Sequence, residues 1–320
     1  MALTLAEADK YSTNQVDIGV AETSIDQNPF LGILPFKTVT GNALAYQREN
    51  AAGNPGFIAA GGTIAESTPT TTQVTVALKI LIGDADIDKF LSATRSKDQD
   101  LVAEVLGMKA RNFADFWGDK IVYGSIDADA NEFDGIHELI SDDATLQQVH
   151  AGAAATPGVG TFTLLDQLLD LVRPRADVIV ASRRSIRGIQ KLARTQGWDL
   201  ALSTMQGINR QVRFYNDVPI IPADFITDVE VIAASAFSTK TGGASSSIFA
   251  LKLGEDAFCG IGANDAAADE LNKIIQLENI GTLETKDANR WRLKHYGALY
   301  LKTPQAIARM DGISSGDWTN

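Results

Sequence analysis

One stretch, residues 53–83 (GNPGFIAAGGTIAESTPTTTQVTVALKILIG), restricts the folds open to this chain more than any other. Its second half alternates Val74, Val76, Leu78, Ile80 and Ile82 with other residues. This period of two predicts a strand over 74–82, because successive strand residues point to opposite faces. A short strand pattern, ALAYQRE, lies upstream at 43–49, and the residues between the two patterns show no regular period. We therefore predict a long hairpin with an irregular tip.

The tip of this hairpin lacks the apolar surface to stabilise itself. Ordering its backbone costs about 1–2 kcal/mol per residue. Its large apolar side chains are Phe57, Ile58 and Ile64, and each contributes about 1.5–3 kcal/mol when fully buried. Long irregular loops are uncommon in compact domains unless they have another role. We expect the tip to contact neighbouring copies of the chain, which predicts a self-assembling structural protein.

The segment NPFLGILPF at 28–36 predicts an arm docked on another surface. Pro29 and Pro35 interrupt regular structure, while the apolar residues around them need to be covered.

The strongest helix signal follows the hairpin. Ser96 and Gln99 fit a capping box. Residues beyond it recur at three- and four-residue steps, which predicts one packed stripe. The stripe consists of Leu101, Val105, Met108, Asn112, Phe113, Phe116 and Trp117. A helix ending near Tyr123 would be about 40 Å long at 1.5 Å per residue, which is long for a compact domain.

From about Thr163 onward, short helices and strands alternate, so we predict an α+β fold. TLLDQLLDLV predicts a helix capped by Thr163, and SRRSIRGIQKLAR predicts a helix with a basic outer face. DVIVAS predicts a buried strand, and VRFYNDVPII predicts two strands around Asn216 and Asp217. Further strands are predicted in SIFALKLG, KIIQLENIGTLET and RWRLKHYGALYLK.

Composition excludes several classes of protein. The net charge of −12 disfavours ordinary nucleic-acid binding, because an acidic surface repels phosphate. The single cysteine, Cys259, rules out an intramolecular disulfide and suits a reducing compartment. The N-terminus has no signal-peptide pattern, and no apolar run approaches the roughly 20 residues of a membrane helix. We expect a soluble, cytoplasmic chain with no membrane contact.

No motif predicts catalysis or a cofactor. GISSG at 312–316 matches a nucleophile-elbow string, but only DWTN follows it, so we interpret it as a flexible C-terminal tail. The histidines, His137, His150 and His295, lack ligand spacing and are interpreted as packing or surface residues. Cys259 has no basic sequence neighbour to lower its pKa and is interpreted as a small buried hydrophobe.

A calcium-loop pattern at 127–138, DADANEFDGIHE, is a near miss. Asp127, Asp129, Asn131 and Glu138 occupy loop positions 1, 3, 5 and 12. Position 6 requires Gly for its sharp turn but holds Glu132. We therefore predict no metal site and keep a soluble calcium-binding protein as a less favoured alternative, with an enzyme lacking recognisable motifs as the last one.

In their order and spacing, these segments resemble the major capsid proteins of tailed bacteriophages (Caudoviricetes) with the Hong Kong 97-like fold, which encapsulin shells share. NPFLGILPFKTVTGNALAYQRE resembles the N-terminal arm and first strand of the family's extended loop, and GGTIAESTPTTTQVTVALKILIGDADID resembles the returning strand. DLVAEVLGMKARNFADFWGDKIVYG is similar to the spine helix, and EFDGIHELI to the segment after it. DVIVASRRSIRGIQKLAR and DVPIIPAD resemble parts of the axial domain, and GALYLKTPQAIARMDGI resembles the closing strands.

This resemblance implies five parts. They are an N-terminal arm (1–42), an extended β-hairpin loop (43–82), a peripheral domain with a long spine helix (83–150), an axial domain (151–285), and return strands with a C-terminal tail (286–320).

The family implies a structural protein of the virion rather than an enzyme. Its copies would form hexamers and pentamers of an icosahedral shell that encloses double-stranded DNA without sequence-specific contacts. Assembly in the host cytoplasm would involve portal and decoration proteins. Because the arm begins almost at Met1, we expect any scaffolding protein to be a separate chain. The residues expected to contact neighbouring subunits are Phe30, Leu31, Phe36, Arg48, Glu49, Phe57, Ile58, Ile64 and Glu66.

Some family members cross-link through a lysine in the extended loop. No lysine lies between Lys37 and Lys79, so we expect a non-covalent shell without a ladder of linked subunits on a denaturing gel. The main alternative is an encapsulin-type nanocompartment shell, which shares the fold and differs in its cargo.

Overall fold

The structure is a computed structural model that describes residues 30, 32–51, 56–63, 68–95, 101–152, 156–197, 200–204, 211–231, 242–263 and 276–319. These residues form two sheets, a separate hairpin and several helices, which confirms the predicted α+β class. The helices are α1 (Lys89–Arg95), α2 (Leu101–Tyr123), α3 (Ile136–Asp143), α4 (Phe162–Leu171) and α5 (Arg183–Thr195).

The strands divide among the hairpin, a five-stranded sheet and an eight-stranded sheet. In chain order they are β1 (Phe36–Val39), β2 (Ala43–Ala51), β3 (Thr70–Ala77), β4 (Lys79–Asp88), β5 (Gln148–His150), β6 (Gly158–Gly160), β7 (Val178–Ala181), β8 (Ala201–Thr204), β9 (Gln211–Tyr215), β10 (Val218–Pro222), β11 (Ser246–Leu251), β12 (Phe258–Ala263), β13 (Gln276–Thr282), β14 (Ala288–Leu301) and β15 (Ile307–Trp318).

The five-stranded sheet is built around the long strand β14. β4 pairs antiparallel with β14 from Lys79 opposite Gly297 to Asp88 opposite Ala288. β12 and β13 pair with the other edge of β14, and β1 extends the sheet in parallel beyond β12. Helix α2 packs on this sheet and buries Phe113 and Trp117.

The eight-stranded sheet has the order β5-β15-β11-β7-β10-β9-β8, and β6 also pairs with β15. Every residue of β7 is buried, because Ile179 and Ala181 contribute to the core under α4 and α5 while Val178 and Val180 contribute to the main core. β9 and β10 form the predicted hairpin. Its turn residues Asn216 and Asp217 have φ values of 48° and 61°, as a two-residue type I′ turn requires.

The strand predicted over 74–82 is two strands in different sheets. β3 pairs with β2, β4 pairs with β14, and Leu78 between them donates its backbone N–H to the carbonyl of Asn42 at 2.9 Å. The apolar alternation of the sequence continues from Val74 to Ile82, but the inward-facing residues change from even-numbered in β3 to odd-numbered in β4, so the alternation alone does not mark where the pairing partner changes.

The predicted helix is present as α2, and its proposed cap at Ser96 and Gln99 lies outside the described residues. The predicted stripe was wrong at three positions, since Asn112 is exposed and Met108 and Phe116 are each about half exposed. Small and aliphatic residues occupy the buried side with Phe113 and Trp117, because the helix approaches its neighbours closely. These residues are Leu106, Ala110, Ala114 and Ile121.

Two expectations about element ends were also wrong. Helix α4 is capped by Thr161, whose Oγ1 accepts the backbone N–H of Leu164 at 3.2 Å, so Thr163 is not the cap. GISSG is not a flexible tail, because β15 runs through it to the buried Trp318. A Cβ on Gly188 would lie 2.0 Å from the Trp318 ring, so this glycine lets the ring pack on α5.

Candidate functional site

The β2–β3 hairpin is held at its base by contacts with its own subunit. Its register places Tyr46 opposite Val74 and Leu44 opposite Val76. Leu44, Tyr46 and Val76 pack against the main core. The Tyr46 hydroxyl donates to the carbonyl of Leu301 at 2.7 Å, and its ring meets Tyr300 edge-on at 4.8 Å between centroids. One face of the hairpin base is therefore part of the subunit's core.

Arg48 completes this anchor. It donates to both carboxylate oxygens of Asp143 at 2.5 and 3.0 Å and to the carbonyl of Leu301 at 2.7 Å. Burial works against its charge, but hydrogen bonds with Asp143 and Tyr46 outweigh that effect and raise the pKa of Arg48. Arg48 therefore stays charged and bound within its own subunit, and its role between subunits stays a prediction.

Replacing Arg48 with alanine should loosen the hairpin base. The change removes a paired, charge-assisted contact worth about 1.5–3 kcal/mol when buried, and partial exposure places the expected loss of unfolding free energy near the lower end. Hydrogen exchange should show faster exchange in β2 and β3 of the unassembled protein. Gln47→Ala, on the exposed side of β2, serves as the matched control. Equal exchange rates in the two variants would contradict this anchor.

Beyond the anchor, the described part of the hairpin faces away from the subunit. Glu49 and residues 70–73 are exposed. At the tip, Phe57 is fully exposed and Ile58 is 55% exposed. These two predicted contact residues therefore present apolar surface to the surroundings. The predicted contacts Leu31, Ile64 and Glu66 lie outside the described residues.

The described end of the arm is docked on its own subunit. Phe30 is 1% exposed within the main core. Phe36, in β1, packs against Trp117 and His295 at ring distances of 5.9 and 6.3 Å. Gly260 on the neighbouring strand makes room for it, since a Cβ there would lie 2.5 Å from the Phe36 ring. The prediction of a docked arm holds for this part, and its surface is the subunit's own.

A second exposed apolar surface, which we call the β4–α2 groove, lies between β4, α2 and the loop after α2. Ile80, Phe116 and Phe133 line it. Ile80 is 66% exposed, and the Lys120 ammonium lies 5.5 Å from the centre of the Phe116 ring. Sequence reasoning missed this groove because it assigned Ile80 to the hairpin and the Phe116 ring to the core. The available signal was that β4 carries apolar residues on both faces.

A buried polar cluster, also missed from sequence, joins the end of α2 to the eight-stranded sheet. Glu230 is 1% exposed and accepts hydrogen bonds from the hydroxyls of Tyr123 and Ser247. Arg309 donates from Nε to the Ser247 hydroxyl at 3.2 Å and lies 3.6 Å from Asp311. The cluster thus holds two carboxylates and a guanidinium inside the protein.

His137 lies beside this cluster as a packing residue. Its ring stacks on Tyr123 at 5.0 Å and meets Phe249 edge-on at 5.1 Å. Burial lowers the pKa of His137, and repulsion from Arg309 adds to that effect. His137 is therefore neutral near pH 7.

The other residues considered for catalysis or metal binding also pack against, or pair with, residues of the same subunit. His295 is buried against Trp117, while His150 is exposed and lies 2.7 Å from Asp311. Cys259 is fully buried, as predicted, and burial raises its pKa to about 12. Lys37, on the neighbouring strand β1, opposes that rise, but burial outweighs it.

The residues of the calcium-loop pattern serve local structure. Asp129 accepts hydrogen bonds from the backbone and side-chain amides of Asn131 at 2.9 and 3.1 Å. Glu138 is 6% exposed in α3, and burial raises its pKa, helped by Asp142 and Asp134. Among the described residues, His, Cys, Asp and Glu side chains do not form a group of three that could hold a metal ion. The helices of the described ranges include none with the length and apolar content to cross a membrane.

The fold is similar to solved shell structures, although no family model and no curated protein matches the sequence. A holo-encapsulin complex from Synechococcus elongatus PCC 7942 matches with a TM-score of 0.66 and 16% identity, covering 91% of this chain and 89% of its own. The capsid of a native GTA particle matches with a TM-score of 0.61 and 14% identity, and the match covers 91% of this chain and 90% of the GTA chain. A structure from Microbacterium phage Oxtober96 matches with a TM-score of 0.58 and 12% identity, and the match covers 88% of this chain and 89% of the phage chain. The chain has the Hong Kong 97-like capsid fold.

Proposed function

We propose that this chain is a major capsid protein that self-assembles into an icosahedral shell around phage double-stranded DNA. The extended loop and the N-terminal arm contact neighbouring subunits, and the protein is structural rather than enzymatic. The observation that supports this most directly is the hairpin, anchored at Arg48 but carrying Phe57 and Ile58 at an exposed tip. The proposal keeps the five-part division of the chain, with the hairpin as the extended loop.

The tip and the β4–α2 groove suit each other as the two sides of a repeated contact. An isolated two-stranded hairpin is only marginally stable, so its outer half gains from a second surface. Phe57 and Ile58 on one copy would cover Ile80 and Phe116 on the next. Each apolar side chain fully buried contributes about 1.5–3 kcal/mol, and a shell repeats the contact at every subunit.

An encapsulin-type compartment is the second candidate. The encapsulin match has a TM-score of 0.66, against 0.61 and 0.58 for the GTA and phage matches. Both candidates use the same subunit contacts, and they differ in what the shell encloses. Scaffolding, portal and decoration proteins, and a place in the virion, belong to the phage proposal alone.

Electron microscopy of the purified full-length protein tests the proposal. We expect closed shells, or rings of five and six subunits that close at higher concentration. Nuclease-resistant DNA inside particles made in the native host supports the phage capsid, whereas a protein cargo without DNA supports the encapsulin. A protein that stays monomeric at high concentration would overturn both.

A further inference from the structure

Helix α5 (Arg183–Thr195) is strongly basic in an acidic protein. Its sequence, RRSIRGIQKLART, contains five Arg or Lys residues and no Asp or Glu, while the whole chain carries a net charge of −12. Its buried side, formed by Ile189, Leu192 and Ala193, belongs to the core under the eight-stranded sheet. The helix therefore packs through an apolar side and presents its charge outward.

Four of these cations form a line that we call the basic stripe. Its members, Arg184, Arg187, Lys191 and Arg194, follow one another at steps of three and four residues, so they share one side of the helix. All four are exposed. At 1.5 Å per residue the stripe is about 15 Å long.

Contacts within the described part of the subunit do not neutralise the charges of the basic stripe. Arg183, outside the stripe, pairs with Asp224 at 2.5 Å. In the part of the chain that the structure describes, the stripe side chains form neither ion pairs nor hydrogen bonds. Arg184 lies in the first turn of α5, where a cation opposes the helix dipole, whereas Arg194 lies in the last turn, where the dipole favours a cation. The helix dipole therefore does not explain the stripe as a whole, and its row of exposed like charges favours a role in binding an anionic partner.

We propose that the basic stripe binds the phosphate backbone of double-stranded DNA without reading its sequence. This inference rests on the proposed capsid function and adds a residue-level contact for the enclosed DNA. Three of the four cations are arginines, whose planar guanidinium matches phosphate geometry. Each DNA strand carries a phosphate about every 3.4 Å along the helix axis, so a 15 Å line of cations meets several phosphates. The acidic remainder of the subunit keeps the contact weak, so packaged DNA is not trapped.

The salt dependence of DNA binding tests this inference. The full-length protein, kept below its assembly concentration, is titrated against a fluorescently labelled duplex at several salt concentrations. Four phosphate contacts predict a slope of about −3.6 for log affinity against log salt, or on the order of 100-fold weaker binding between about 50 and 200 mM salt. The variant R187Q/K191Q/R194Q should flatten the slope to about −0.9.

A charge-matched control separates the stripe from bulk electrostatics. The variant K109Q/R111Q/K286Q also removes three positive charges from exposed positions, all of them outside α5. It should keep the slope of the unmodified protein. An equal loss in both variants, or no salt-dependent binding by the unmodified protein, would overturn the inference.

Two further measurements distinguish this inference from its rivals. The rival partner is an acidic protein segment, and a synthetic peptide of residues 1–29 represents it. This peptide contains five Asp or Glu residues and one Lys. Stripe-dependent binding of this peptide without stripe-dependent binding of DNA would overturn the DNA assignment. Electron microscopy of the same proteins, concentrated above the range used for the binding titration, scores assembly independently. Intact shells without DNA binding would refute only this inference, whereas the absence of shells would refute the proposed function.

Discussion

Replacing residues 52–69 with a short Asn-Gly turn between the paired Ala51 and Thr70 should abolish shell assembly and leave a soluble, folded subunit. The deleted tip includes Phe57 and Ile58, which are exposed, while the anchor residues Tyr46 and Arg48 remain. An Asn-Gly pair supports the tight type I′ turn that would rejoin β2 and β3. Light scattering and electron microscopy measure assembly, and circular dichroism and urea unfolding report on the fold. Shells formed by the shortened protein would refute the role given to the hairpin.

A milder variant separates the apolar tip from the length of the loop. F57S/I58S keeps every backbone atom and removes only the apolar surface of the tip. We expect it to raise the protein concentration needed for assembly at least about tenfold, which corresponds to about 1.4 kcal/mol per subunit contact. Leu146, which is 86% exposed outside the hairpin, gives the matched control L146S. If L146S impairs assembly as much as F57S/I58S, the tip has no special role.

The sequence was sufficient to predict the parts of this fold that depend on local periodicity. The hairpin, helix α2 and the Asn216–Asp217 turn each carry their signal within about 30 residues. The junction at Leu78 was not predictable in this way, because the apolar alternation of β3 continues to Ile82, although β4 pairs with a different strand and turns its odd-numbered residues inward. Pairing over more than 200 residues, as between β4 and β14, leaves no mark in a local pattern.

The candidate contact residues of the hairpin and the arm were predictable to a similar extent. Apolar residues in a segment without a core showed that a partner surface is needed, but not which chain provides it. Phe57 and Ile58 are exposed, whereas Phe30 and Arg48 find their partners within the subunit. The same ambiguity affected Phe116, whose spacing on α2 fits either a core or a contact surface.

The buried polar cluster could not be predicted, because its members are scattered along the chain. Tyr123, Glu230, Ser247 and Arg309 come from a helix, a loop and two strands. Each residue alone is typical of a protein surface. Only the tertiary fold shows that they share one interior site, where they join α2 to the eight-stranded sheet.

Replacing Glu230 with alanine should therefore destabilise the subunit severely. The change leaves Arg309 with less compensating charge in the interior and removes the acceptor for the Tyr123 and Ser247 hydroxyls. Breaking a buried charge cluster of this kind typically costs about 3–5 kcal/mol, a large share of the about 5–15 kcal/mol that stabilises a typical domain. Urea unfolding of the unassembled protein measures the loss.

Three comparisons identify the cause of that loss. Glu230→Gln keeps the size and one acceptor oxygen, so it should cost less than the alanine variant. Tyr123→Phe removes the hydroxyl that donates to Glu230 and accepts the backbone N–H of Thr227, and it should cost about 1.5–3 kcal/mol. Glu284→Ala removes the same charge at an exposed position and should have almost no effect. If Glu230→Ala unfolds at the same urea concentration as Glu284→Ala, the cluster does not hold the two parts of the subunit together. If it unfolds much earlier, the packing of α2 against the eight-stranded sheet depends on a buried charge as well as on apolar contacts.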